Sequence, residues 1–181
     1  MSDPVRVGLY GANGHQVHGL LPGHPRARLV ATAAFPAECL DPALAGARRH
    51  ADLAGLLADD AVELIALCSP RRADQAADAV RCLEAGRHVY AEKPCAMREA
   101  DLDRILDLAA RRGLVFREMA GTAFNPPYVA MRDCIAAGTI GEPVQVFAQV
   151  SYPWHDGRPD EEAIDGGLPL QVGVHAVRLI E

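Results

Sequence analysis

The sequence predicts an α/β protein in two parts: a doubly wound parallel sheet in residues 1–120, then the start of a second α/β domain with a mostly antiparallel open sheet in 121–181. Three observations predict it. Apolar, β-prone runs alternate with helical patterns from the first residues onward, as in βαβ units around a parallel sheet. The run ARLVATAAF (27–35) is apolar apart from Arg28 and Thr32, as a strand covered on both faces should be. PVQVFAQVSY (143–152) instead alternates, with Val144, Val146, Ala148 and Val150 on one side and Gln145, Gln149 and Ser151 on the other, the pattern of a sheet with one wet face.

The elements follow in order. VRVGLYG (5–11) is a short strand ending in glycine, and HQVHGLL (15–21) opens a helix that Pro22, Gly23 and Pro25 close. After the second strand (27–35), Asp41-Pro42 supplies an N-cap and a proline at the first helical position, starting a helix that runs toward Leu53 to Leu57. Arg48, Arg49 and His50 read as an exposed end of that helix. VELIALC (62–68) is the third strand, and Ser69-Pro70 turns it into a helix with Ala76, Ala77, Val80 and Leu83 that stops at Gly86. Strand HVYAE (88–92) follows. A helix with Leu102, Ile105, Leu106 and Ala109 on one face then ends at Gly113. Beyond LVFREM (114–119), a helix around Tyr128, Met131 and Ile135 ends at Gly138. The polar segment 153–162 separates the alternating run from a last helix with Val174, Val177 and Ile180 in step. That helix shows no stop signal before Glu181, and the second sheet lacks strands, so the expectation is a C-terminally truncated chain.

Composition narrows the function. Half of the 181 residues are hydrophobic and 23% are charged, the balance of a globular domain. A net charge of -6 leaves no basic surface for a phosphate backbone, so nucleic acid is excluded as a partner. No signal-peptide pattern or membrane-length apolar run is present, and a cytoplasmic location without membrane contact is expected. Five cysteines without a C-x-x-C pair argue against a zinc knuckle or a disulfide framework. His15 and His18 lie on one helix face, but no carboxylate or thiolate completes a metal shell, and no metal is expected.

The first turn reads GANGHQ (11–16). A dinucleotide turn needs Gly at its first position for the bend, Gly at its second for pyrophosphate approach and Gly at its third for helix packing. Only Gly11 fits outright; Asn13 can adopt the left-handed conformation in place of the second glycine, and Gln16 cannot mimic the third. A turn that binds nothing fits these residues as well. In VYAEKP (89–94), Lys93 is either a solvated strand end or a proton handler.

VRVGLYGANG, VELIALCSP, CLEAGRHVYAEKP, IAAGTIGEPVQV and GGLPLQVGVH, in this order, resemble the glucose–fructose oxidoreductase, inositol dehydrogenase and MocA-like family of nicotinamide-dependent oxidoreductases. LEAGRHVYAEKP is the most specific piece. The resemblance implies an N-terminal Rossmann domain that binds NAD or NADP, a C-terminal domain that covers a sugar, cyclitol or polyol substrate, and a possible homo-oligomer. It places Lys93 between nicotinamide and substrate hydroxyl as acid/base, with a cis bond to Pro94, and Glu92 near the nicotinamide ribose or amide. A hydride leaves carbon only as the attached hydroxyl loses its proton, which is work for an amine in a partly desolvated cleft. Gly11, Asn13, Gly14, His15, Ser69, Pro70, Glu92 and Lys93 become cofactor contacts. His175 matches the family's substrate or relay histidine, and Gln171 stands where the family has aspartate; an amide orients a hydroxyl but cannot take its proton. Asp74 stands where relatives often place a histidine after the Ser69-Pro70 turn. The second strand ends in Ala33, Ala34 and Phe35 instead of an acid, leaving NAD against NADP open and Glu38 as a candidate for the ribose. Trp154, His155 and Arg158 border the cleft in relatives; a solvated loop is the alternative. The second functional reading is a truncated or degenerate relative that binds a dinucleotide without turnover.

Overall fold

A computed structural model describes residues 3–119, 121–151 and 161–180. Six parallel strands, β1 (Val5–Tyr10), β2 (Ala27–Ala33), β3 (Arg48–His50), β4 (Leu64–Leu67), β5 (His88–Ala91) and β6 (Phe116–Glu118), form one sheet in the order β3-β2-β1-β4-β5-β6. Adjacent strands run in parallel register, Val7 opposite Leu64 and Leu64 opposite His88. The order reverses between β1 and β4, and the ends of such strands at that switch form a ligand crevice.

Strand alternation splits the core. Val7 and Leu9 face one side, where they meet Leu21, Phe35, Ala66 and Met119. Leu53 and Leu56 of α1 (Leu53–Leu57), Ala79 and Leu83 of α2 (Gln75–Glu84) and Ile105 of α3 (Glu99–Arg112) fill the other side with Ile65, Leu67 and Val89. Each such fully buried aliphatic side chain contributes about 1.5–3 kcal/mol. Asp52 caps α1 by accepting from the Gly55 amide at 2.8 Å, and α3 carries Glu99 and Asp101 in its first turn and Arg111 and Arg112 in its last, matching the helix dipole.

The helices of the sheet thus lie on one face, and the expected winding on the other is made by short turns. HQVHGLL forms only a 3-10 turn, His18–Leu20, because Gly19 and the Pro22, Gly23, Pro25 run leave too few residues to repay helix nucleation. Asp41 caps as expected, accepting from the Ala43 amide at 2.8 Å, but its helix also stops after one turn, Pro42–Leu44, ahead of Gly46. Arg48, Arg49 and His50 are consequently edge strand β3 rather than a helix end. β-pairing to β2 outweighs the local pattern here.

Residues 121–180 add α4 (Pro126–Ala136), α5 (Glu162–Asp165), α6 (Gly167–Gln171) and α7 (Gly173–Ile180). The alternating run 143–151 forms no strand among the described residues, and the expected antiparallel sheet is not formed there. An isolated strand has no partner for its amides, and Val144 is 95% exposed. No described helix is long and apolar enough to cross a membrane.

Candidate active site

Three turns meet at the carboxyl ends of β1, β4 and β5. The β1 turn needs its glycines: Gly11 has φ +72°, and a Cβ there would lie 2.0 Å from the Cys68 carbonyl oxygen. Gly14 has φ +110°, and its Cβ would meet Glu92 Cγ at 2.6 Å. Asn13 is not left-handed; Ala34 is the one described non-glycine residue with positive φ. Asn13 instead ties elements together. Its amide donates to the carbonyls of Pro70 at 3.2 Å and Ile164 at 2.6 Å, and its own carbonyl accepts from Arg72 Nη2 at 2.8 Å.

The β4 turn turns away from the opening. Ser69 is fully buried and its hydroxyl donates to Asp78 Oδ2 at 2.9 Å, whose carboxyl is raised chiefly by burial. Arg72, 2% exposed, instead reaches the β1 turn, and its Nε has no hydrogen-bond partner among the described residues.

The β5 turn carries Glu92 and Lys93. Glu92 is 1% exposed and accepts from the His15 backbone amide at 3.2 Å, with His15 Nδ1 against its other oxygen at 2.9 Å. Lys93, 6% exposed, donates to the Gln171 carbonyl at 2.8 Å and lies 3.9 Å from Glu92 Oε1. The Lys93–Pro94 bond is cis. Gln75, wholly buried at the start of α2, grips this turn by donating to the carbonyls of Glu92 at 2.5 Å and Pro94 at 2.9 Å, and it accepts from Arg72 Nη1.

These side chains enclose a cleft of ≈ 340 Å³, lined by Asn13, Gly14 and His15 from the β1 turn, Arg72, Glu92 and Lys93 from the next two, and Gln171, Val172 and His175 from α6 and α7. The His175 ring is pushed below the ordinary histidine value, first by burial, then by the Lys93 and His15 charges, with Glu92 opposing. An imidazole biased toward its neutral form therefore shares a polar cleft with the Lys93 side chain. Such a site can exchange a proton with a bound hydroxyl.

Of the expected residues, Asn13, Gly14, His15, Glu92, Lys93, Gln171 and His175 line the cleft, whereas Gly11, Ser69 and Pro70 do not. Gln171 offers Lys93 its backbone carbonyl, a role the sequence did not suggest. Residues 152–160, with Trp154, His155 and Arg158, lie outside the described residues. The sequence reading missed Arg72 and Gln75. Asp74, which stands where relatives often place a histidine, has a 56% exposed side chain. A signal was present: positions 75, 79 and 83 fall on one helical face, and all three are fully buried.

Residues 5–119 match the model of a family described as oxidoreductases with an NAD-binding Rossmann fold, GFO_IDH_MocA. The chain belongs to this family. This Gfo/Idh/MocA chain is 42% identical over 101 residues to dTDP-3,4-didehydro-2,6-dideoxy-alpha-D-glucose 3-reductase of Streptomyces violaceoruber, covering 55% of the chain and 30% of the relative. It is 36% identical over 157 residues to inositol 2-dehydrogenase 1 of Saccharopolyspora erythraea, covering 78% of the chain and 44% of the relative. A solved 3-ketoreductase from Actinomadura kijaniata, in complex with TDP-benzene and NADP, superposes with a TM-score of 0.67 at 27% identity over 77% of this chain and 44% of its own. The chain thus spans less than half the length of all three.

The residues of the Gfo/Idh/MocA chain fit a dinucleotide. The cleft sits at the β1/β4 switch, the β1 turn has no side chain at Gly14 to block approach, and the buried Arg72 adds beside that turn a cation whose Nε–H has no partner among the described residues.

Proposed function

We propose that the protein is an NAD(P)-dependent oxidoreductase acting on the carbinol or ketone carbon of a sugar, cyclitol or related polyol. Its residues 1–120 would bind the dinucleotide, and 121–181 would begin the part that covers the substrate. One observation carries the reading: the buried Lys93 amine shares a single cleft with the glycine turn and with a histidine kept neutral. The names of the curated relatives, a reductase of a deoxysugar nucleotide and an inositol dehydrogenase, support the substrate class.

The nicotinamide, when bound, supplies the hydride acceptor or donor. Lys93 holds the substrate hydroxyl and takes its proton during oxidation, or returns it during reduction. The Gln171 carbonyl fixes the amine's position by occupying one N–H. His175, favoured as neutral imidazole, accepts or relays the proton, and the Gln171 amide orients a neighbouring hydroxyl without taking its proton. Asn13, Gly14, His15 and Glu92 line the nucleotide side of the cleft.

The test is Lys93→Ala, followed by titration with NADH and NADPH through nicotinamide fluorescence and by oxidation assays on a polyol panel. Cofactor affinity should stay near the wild-type value while turnover falls by about 10²-fold or more. Unchanged turnover in the variant would remove Lys93 from the role. Gln171, an amide where the resemblance implies a carboxylate, favours a second reading in which the chain binds a dinucleotide without turnover. Tight binding by folded wild-type protein with no oxidation of any polyol would select it.

A further inference from the structure

The carboxyl end of β2 decides which dinucleotide a sheet of this order accepts: an acidic side chain there takes a free ribose 2′-hydroxyl, and an arginine nearby takes a 2′-phosphate. Here β2 runs into Ala34 and Phe35, which carry no charge. Ala34 is exposed and left-handed at φ 50°, a conformation disfavoured for a residue with a Cβ and often kept where it shapes a binding turn. Immediately beyond it, the Phe35 carbonyl accepts a hydrogen bond from Arg49 Nη2 at 2.8 Å.

Arg49 comes from β3, where it pairs in register with Thr32. Phe35 lies three positions further along the chain, so the Arg49 side chain extends toward the carboxyl end of the sheet. Among the described residues this contact engages one of its nitrogens and leaves the other N–H donors of an exposed arginine for a ligand. The flanking basic residues are already engaged. Arg48 grips Asp59 with two hydrogen bonds of 2.7 Å, and the His50 ring meets the same carboxylate at 3.0 Å. Among the described residues Arg49 has no carboxylate partner, and Glu38, exposed in the Ala37–Cys39 turn, forms no ion pair with it.

We infer that Arg49 is the specificity-determining residue for the cofactor, taking the 2′-phosphate of an NADP-type dinucleotide from the strand beside β2. A guanidinium suits this ligand because its planar fork presents parallel donors to two phosphate oxygens. An NAD-type ribose offers it only a hydroxyl, and no acid at the end of β2 compensates. The inference rests on the dinucleotide reading of the cleft.

Equilibrium binding of NADPH and NADH, followed by nicotinamide fluorescence, tests it on wild type, Arg49→Gln and Glu38→Gln, with displacement by adenosine 2′,5′-bisphosphate as a probe of the adenosine end alone. Circular dichroism checks that the exposed substitutions leave the fold intact. Wild type should bind NADPH at least about tenfold more tightly than NADH, and Arg49→Gln should reduce that ratio by about tenfold while leaving NADH affinity unchanged. Adenosine 2′,5′-bisphosphate should displace NADPH from wild type and do so more weakly in Arg49→Gln. A ratio untouched by Arg49→Gln overturns the inference, as does an NADH preference that disappears in Glu38→Gln; both outcomes leave the dinucleotide reading standing. Failure of folded wild type to bind either nucleotide brings down the dinucleotide reading and this inference together.

Discussion

Gly11 and Gly14 are both left-handed, yet an added methyl group would do different damage at each. At Gly11 it would run into the Cys68 carbonyl, which belongs to the chain leaving β4 and cannot step aside without breaking the Cys68 amide's 2.8 Å bond to Tyr10. At Gly14 it would strike Glu92 Cγ and Cδ, side-chain atoms rather than backbone, and push that carboxylate off His15. Gly11→Ala should therefore cost at least about 2–3 kcal/mol in urea unfolding. Gly14→Ala should cost about 1–2 kcal/mol, with its larger effect on nucleotide binding, because displacing Glu92 releases His15. Equal losses from the two would mean that the backbone contact at Gly11 is not the constraint. His175 makes a pH prediction. Its folded value lies below the ordinary 6.5, so in that range the unfolded chain holds more protons than the folded one. Its contribution to stability is whole above about pH 6.5 and is lost as pH falls toward and through the lowered folded value. Burial is the main cause of that displacement; Lys93 and His15 add to it and Glu92 opposes it. Unfolding midpoints compared at about pH 7.5 and about pH 5.5 should drop more for wild type than for His175→Gln; a parallel drop would show that the cleft does not disfavour the imidazolium.

At the scale of elements, α2 does two jobs through one face. Ala79 and Leu83 fill the core beneath the sheet, and Gln75, on the same stripe, meets the Glu92 and Pro94 carbonyls that flank Lys93. Gln75→Leu keeps the volume but strands two buried carbonyls, each worth about 1–3 kcal/mol when unpaired. The variant should lose at least about 2 kcal/mol in urea unfolding, and its turnover should fall further than its cofactor affinity, since the Lys93 turn loses its clamp. Asp74→Ala, one residue earlier and exposed, should stay within about 0.5 kcal/mol of wild type. Such pairing explains what was legible in the sequence. Strands β1, β4 and β5 announce themselves because, Arg6 and His88 aside, their residues are apolar and pack into the core on both faces of the sheet, and the turns after β1 and β5 carry the motif glycines and the E-K-P run. Gln75 was hidden because a buried amide looks like a polar surface residue until the register of its helix is known. The two missing helices were hidden for another reason: Asp41-Pro42 is a genuine cap, and capping alone does not say how many turns follow before Gly46 and the pairing of β3 with β2 take over.

Taken as a whole, the molecule spends its apolar residues unevenly. The sheet half buries Leu9, Leu56, Ile65, Leu67 and Leu83 to within 1% of full exclusion, while Phe124, Ile140, Val144 and Phe147 in the later half are 65% exposed or more. Among the described residues, polar ties from the later half to the sheet half include Asn13 to Ile164, Lys93 to Gln171, and the Arg71–Glu161 and Arg178–Glu118 ion pairs. Local opening costs least where buried apolar contacts are few and amides lack internal partners. Amide exchange should accordingly divide along the chain. Ile65, Leu67 and Val89, in strands flanked on both sides, should exchange only through global unfolding, whereas amides from 144 to 150, alternating in pattern but without a strand partner among the described residues, should exchange at rates near those of an unstructured peptide. The α6–α7 segment should fall between, and a bound dinucleotide should slow its exchange together with that of the Asn13 turn, because both form walls of one cleft. Protection at Val146 equal to that at Val89 would show that the alternating run has found a strand partner, and the uneven division of the molecule would then be wrong.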